Sequence, residues 1–179
     1  TLSFVDQSEE AIVHLEIALH IFEEIDMNPT ALAKTHMVLG DANERIGRYA
    51  DAEWHFSASY DLLDPIDVPR RIYSETGALR MMARRGQINE AWTRLEQLSA
   101  ENIGLGRFEH GHIVETRGYL KHLRNPNSGA SDYINALATY IAVGKDSEAK
   151  RLCSASPFKL SECQRLGYPN EQNREPSFE

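Results

Sequence analysis

The residues best suited to chemistry crowd into "EHGHIVE", where Glu109, His110, His112 and Glu115 offer imidazoles and carboxylates side by side. A helical metal site needs ligands three or four residues apart, so that they share a face. His110 and His112 are two apart and turn to different faces, so no metal site is expected. Cys153 and Cys163 are the only cysteines, too few for a disulfide scaffold or a zinc site, and read as reduced thiols. Nucleophilic catalysis needs a hydroxyl or thiol beside a base held by an acid, and local sequence assembles none. "GLGRFEHG", Gly104 to Gly111, has glycines but neither the lysine nor the preceding strand of a phosphate loop, and reads as an interhelical loop. Arg80 and Arg84 stand one helical turn apart. Two guanidinium forks so placed match a carboxylate, unless Asp41 and Glu44 of the same chain take them.

The elements that must position these residues are helices. "SEEAIVHLEIALHIFEEI" places Ala11, Leu15, Ala18, Leu19, Phe22 and Ile25 at three- and four-residue steps, one apolar stripe, before the stop Asn28-Pro29. "TALAKTHMVLGDANERIG" gives the next helix, ending at Gly47, and "YADAEWHFSASYDLL" another, closed by Asp64-Pro65. The same grammar runs on through "DSEAKRLCSA", making about eight helices joined by short loops and no convincing strand. The chain has 179 residues, 41% apolar and 26% charged, which is ordinary globular composition. Its net charge of −8 argues against general affinity for nucleic acid or anionic lipid and makes a basic partner easier to accommodate. No apolar run has the length of a membrane span, and no charged-then-apolar leader opens the sequence.

Internal spacing explains the small residues. "IGRYADAEWHF" aligns with "RGQINEAWTRL", so that Gly47 falls on Gly86, Ala52 on Ala91 and Phe56 on Leu95. Tyr133, Ala136 and Tyr140 repeat the pattern downstream, and Ala11 with Leu15 repeats it upstream. A glycine at the helix end permits a left-handed turn, the alanine permits a close helix crossing, and the large residue one turn on plugs the gap. Gly40 is the small residue opposite that plug.

These residues resemble the tetratricopeptide repeat: Leu39-Gly40, Gly47, Tyr49, Ala52 and Phe56 follow its pattern, while His36, Asn43 and Leu79 depart from it. The spacing of about 40 is similar to that of arrays in bacterial regulatory proteins. The resemblance implies an all-α solenoid of antiparallel helix pairs over residues 1–155; residues 156–179, with three prolines, many polar residues and sparse apolar ones, read as a loosely attached tail. It also implies that first helices line a concave, partner-binding face. The residues so placed are Lys34, Met37, Asp41, Glu44 and Arg45, then Tyr73, Thr76, Arg80 and Arg84, with His112, Glu115 and Tyr119 in a third helix of unfixed register. The family's clamp for chaperone tails is not implied, because Met37 and Asp41 replace its Lys and Asn. Trp54 and Trp92 fall where packing or the convex surface is expected. The function expected is a non-catalytic module binding a protein or peptide, the sensor or scaffolding part of a cytoplasmic bacterial regulator, with no cofactor and no contact with nucleic acid or membrane. The alternative is an accessory domain of an enzyme whose chemistry lies elsewhere. The stripe of the N-terminal helix lacks a preceding first helix. An upstream part of a parent chain or a second copy would cover it; self-association and a monomer with that helix tucked in are both allowed.

Overall fold

The computed structural model describes residues 4–25, 27–101, 106–158, 161–165 and 167; side chains of 4–8 and 162 are not included. Among these residues every regular element is a helix, and there are nine, one more than expected. They fall into two compact units, residues 1–98 and 99–179.

In the first unit α1 (Phe4–Glu24), α2 (Pro29–Arg45), α3 (Tyr49–Leu62), α4 (Val68–Arg84) and α5 (Ile88–Glu101) follow one another. Three residues separate α2 from α3 and α4 from α5, too short a connection for anything but an antiparallel neighbour. The turns are built alike. Gly47 takes φ +81° and Gly86 φ +91°. In the first turn the Arg48 amide reaches the Asn43 carbonyl and the Gly47 amide the Glu44 carbonyl; Gln87 and Gly86 repeat this on Met82 and Ala83. This double bond pattern satisfies the last helical carbonyls and needs a left-handed residue, which glycine supplies without a Cβ clash.

The close crossings follow. Ala52 and Ala91 are fully buried, as is the plug Phe56. A Cβ at Gly40 would stand 2.8 Å from the Phe56 ring, and one at Gly77 would stand 2.9 Å from the same ring, so the ring is gripped between α2 and α4. Gly77 does the job for which the repeat alignment had offered Leu79. At the N-terminal end Ile12 and Leu19 of α1 pack with Leu39 and Ala42 of α2. The expected α1 stripe is therefore corrected by one residue at its start: Ala11 is exposed and Ile12 is buried. Ile25, placed in that stripe, is 61% exposed.

The second unit contains α6 (Arg107–Arg124), α7 (Ala130–Ala142), α8 (Asp146–Ala155) and α9 (Ser161–Arg165). Residues 107–111 of the expected interhelical loop belong to α6, and 102–105 lie outside the described residues. Gly111 is a packing residue: its Cβ position is 2.8 Å from the Tyr140 ring. Tyr140, Ala136, Leu137, Leu152 and Cys153 form the core, which also includes Cys163. Two further expectations are corrected here. The cysteines are joined as a Cys153–Cys163 disulfide. Within the expected tail, Cys163 is 2% exposed and Phe158 stacks edgewise on Tyr133 at 5.5 Å, so these two residues are packed and not loosely attached. Residues 159, 160, 166 and 168–179 of that tail lie outside the described residues.

Candidate functional site

The expected binding residues of α2 and α4 meet one another. The Tyr73 hydroxyl donates to both carboxylate oxygens of Asp41 at 2.7 and 2.8 Å. Arg80 donates to Glu44 at 3.3 Å, and Arg84 to the Tyr49 hydroxyl at 3.1 Å while lying over its ring. Each arginine thus has a partner within its own unit, Glu44 for Arg80 and Tyr49 for Arg84. Side-by-side first helices account for the ladder, since residues three or four apart on each helix share the facing surface. Thr76 is a correction: it is fully buried, and its hydroxyl donates to the Ile72 carbonyl at 2.7 Å. Of the others, Lys34 and Arg45 are exposed and Met37 is half-buried.

The third first-helix, α6, buries its chemistry. His112 is 1% and Glu115 4% exposed. The Tyr140 hydroxyl donates to Glu115 at 2.7 Å and lies 3.1 Å from His112 Nδ1. Arg151 closes a two-bond fork on Glu115 at 2.8 and 2.6 Å. A carboxylate held by a guanidinium and a phenol is neutralised in place, an arrangement that fixes packing and leaves no base poised at a surface. His110 is exposed while His112 is buried, so the two imidazoles do face apart. Tyr119, the last of the third-helix candidates, is half-buried and packs against the core.

A second imidazole pair escaped the sequence reading. His36 and His55, both buried, have their Nδ1 atoms 2.9 Å apart. Only one of them can carry the shared proton. Burial pushes His36 below its ordinary value, and burial with the neighbouring His36 takes His55 down to about 4. Trp54 covers both rings edgewise, at 5.4 and 4.8 Å, while remaining 59% exposed. It packs against its own unit, and the Trp92 indole donates to Glu96 one turn along α5.

Two further surfaces stand out among the described residues, one apolar and one with arginines along its edge. On α1, Val13, Ile17 and Ile21 are 53%, 53% and 47% exposed. Four-residue steps set them in one row, on the side of the helix opposite the buried Ile12 and Leu19. A helix apolar on two faces is built to be covered on both. The row was legible in the sequence as a second periodic set beside the stripe containing Leu15 and Leu19. In the second unit a groove of about 440 Å³ runs along α6 and α7. Arg107, His110, Val114 and Arg117 line it from α6, with Asn135, Ala138, Thr139 and Ala142 from α7.

No family model matches this chain, and no curated protein or solved structure matches it either. Among the described residues no helix is long and apolar enough to cross a membrane.

Proposed function

We propose that this chain is a non-catalytic, tetratricopeptide-like module that binds a protein partner, with the outer row of α1 as its contact surface. The observation that carries this reading is the alignment of Val13, Ile17 and Ile21, each about half exposed, on a helix whose other face is already packed. Isolated apolar residues on a surface need no explanation, but a contiguous row is the mark of an interface. Covering the exposed halves of three such side chains is worth about 2–4 kcal/mol, enough to orient a partner.

The polar clusters support the same reading. Glu115, Asp132 and Glu75 are each buried against an arginine of the same unit, as structural ion pairs are. The resemblance of the repeat to arrays in bacterial regulatory proteins supports a sensor or scaffolding role in such a regulator. The disulfide supports an oxidising compartment in place of the cytoplasm, where glutathione keeps thiols reduced.

The test compares the parent chain with a variant carrying Val13→Ser, Ile17→Ser and Ile21→Ser. Cross-linked complexes recovered from the source cell should lose specific partners in the variant, while thermal melts coincide. An unchanged set of cross-linked partners would remove α1 as the contact surface.

A further inference from the structure

We infer that the outer row of α1 on one copy docks into the α6/α7 groove of a second copy. This rests on the reading of α1 as a contact surface and names its occupant. Charge limits the choice. No Lys or Arg occurs before Lys34, whereas Asp6, Glu9, Glu10, Glu16, Glu23, Glu24 and Asp26 do. Glu10 and Glu24 stand at the two ends of the row, each beside a histidine of α1, and Glu9 is met by Arg48. Two such helices laid row to row would set carboxylate against carboxylate, and a nucleic acid or anionic lipid would meet the same repulsion. A basic, apolar-floored groove is the complement.

The α6/α7 groove has that character. No carboxylate lines it; Val114, Ala138 and Ala142 supply its apolar part, and Arg107 and Arg117 its cationic edge. Lys121 continues the α6 stripe, and because Lys121 and Arg117 share the single Asp132, one positive charge is left over. Ile134 and Ile141 of α7, in register with Ala138 at four- and three-residue steps, are 36% and 39% exposed. The lengths agree as well. Glu10 to Glu24 and Arg107 to Lys121 are equal steps along their helices, roughly 21 Å each. A helix entering a groove by residues one turn apart is an established way for proteins to recognise helices. Each copy carries one row and one groove, so a first contact leaves one row and one groove to be satisfied by reciprocal pairing or by further copies.

Sedimentation of the full chain tests this. The parent should gain mass with concentration at low ionic strength, and lose it in high salt. Ile17→Asp disables the row and Ala138→Glu the groove; both positions are surface residues, and melts confirm folding. Each variant alone should be monomeric. Mixed, they should form a one-to-one dimer and nothing larger, because one intact row then meets one intact groove. A parent that is monomeric throughout would overturn the inference while leaving the partner-binding reading to its own cross-linking test. Self-association of Ala138→Glu at the parent's affinity, or a mixture that stays monomeric, would also overturn it. If either variant fails to fold, Ile17→Ser and Asn135→Glu replace the pair with the same expected outcomes.

Discussion

The buried imidazole pair makes stability depend on pH in a calculable way. His55 titrates near 4 in the folded chain, against 6.5 for an ordinary histidine. Between those values the unfolded chain binds the proton and the folded chain does not, so stability falls as pH drops through this window. Above 6.5 both states are neutral and the loss is absent; below 4 both are charged and it stops growing. From pH 7.5 to 4.5, His55 alone accounts for about 2.5 kcal/mol of lost stability. The comparison protein is His55→Gln, which keeps a polar side chain at the site and has no charge to gain. Urea unfolding followed by tryptophan fluorescence suits the site, since Trp54 touches both rings. The parent should lose about 2 kcal/mol more than His55→Gln across this range, after carboxylate titrations common to both proteins cancel. Parallel pH profiles would refute the reasoning, and a parent gaining stability toward acid would reverse it.

Gly77→Ala should lower the melting temperature. Its Cβ would lie 2.9 Å from a Phe56 ring that Gly40 holds on the other side, and the overpacking cost of about 1–3 kcal/mol exceeds the ~1 kcal/mol that alanine gains in helix propensity. A raised melting temperature would show that the ring can move. Cys163→Ser should destabilise the second unit by about 3 kcal/mol, the entropy of a short closed loop, and a reductant should bring the parent to the same stability in denaturant titration. Arg80→Glu should cost at least about 1 kcal/mol by opposing Glu44, while Lys34→Glu at an exposed position should stay within about 0.5 kcal/mol of the parent. Equal effects of the two reversals in chemical denaturation would contradict the α2/α4 ladder.

What the sequence disclosed was what local geometry dictates. The glycines at 47 and 86 announce left-handed turns because no other residue adopts them so readily, and Ala52 and Ala91 announce crossings because each stands at the same distance from its turn. The pairing of Asp41 with Tyr73 and of Glu44 with Arg80 was only half legible: both helices were placed correctly, but partner choice depends on their relative shift along the interface. Gly77 was hidden because the alignment directs attention to Leu79, whereas the actual position is set by where the Phe56 ring arrives. Gly111 was read with its loop-like neighbours, and only Tyr140 reveals that it lies inside a helix. The start of α1 was shifted because a helix apolar on both sides gives periodicity no single answer. His36 and His55 belong to different helices and meet only through the α2/α3 crossing. The cysteines read as reduced because two are too few for a scaffold, whereas one disulfide needs only that α8 and α9 bring them together.

The central claim is that α1 presents its outer row to another protein. A photo-cross-linking residue placed at Ile17, with a second at the exposed Gln97 as control, tests it inside the source cell. The account predicts discrete protein adducts from position 17 that position 97 does not give. Adducts absent from position 17, or identical from both, would contradict it.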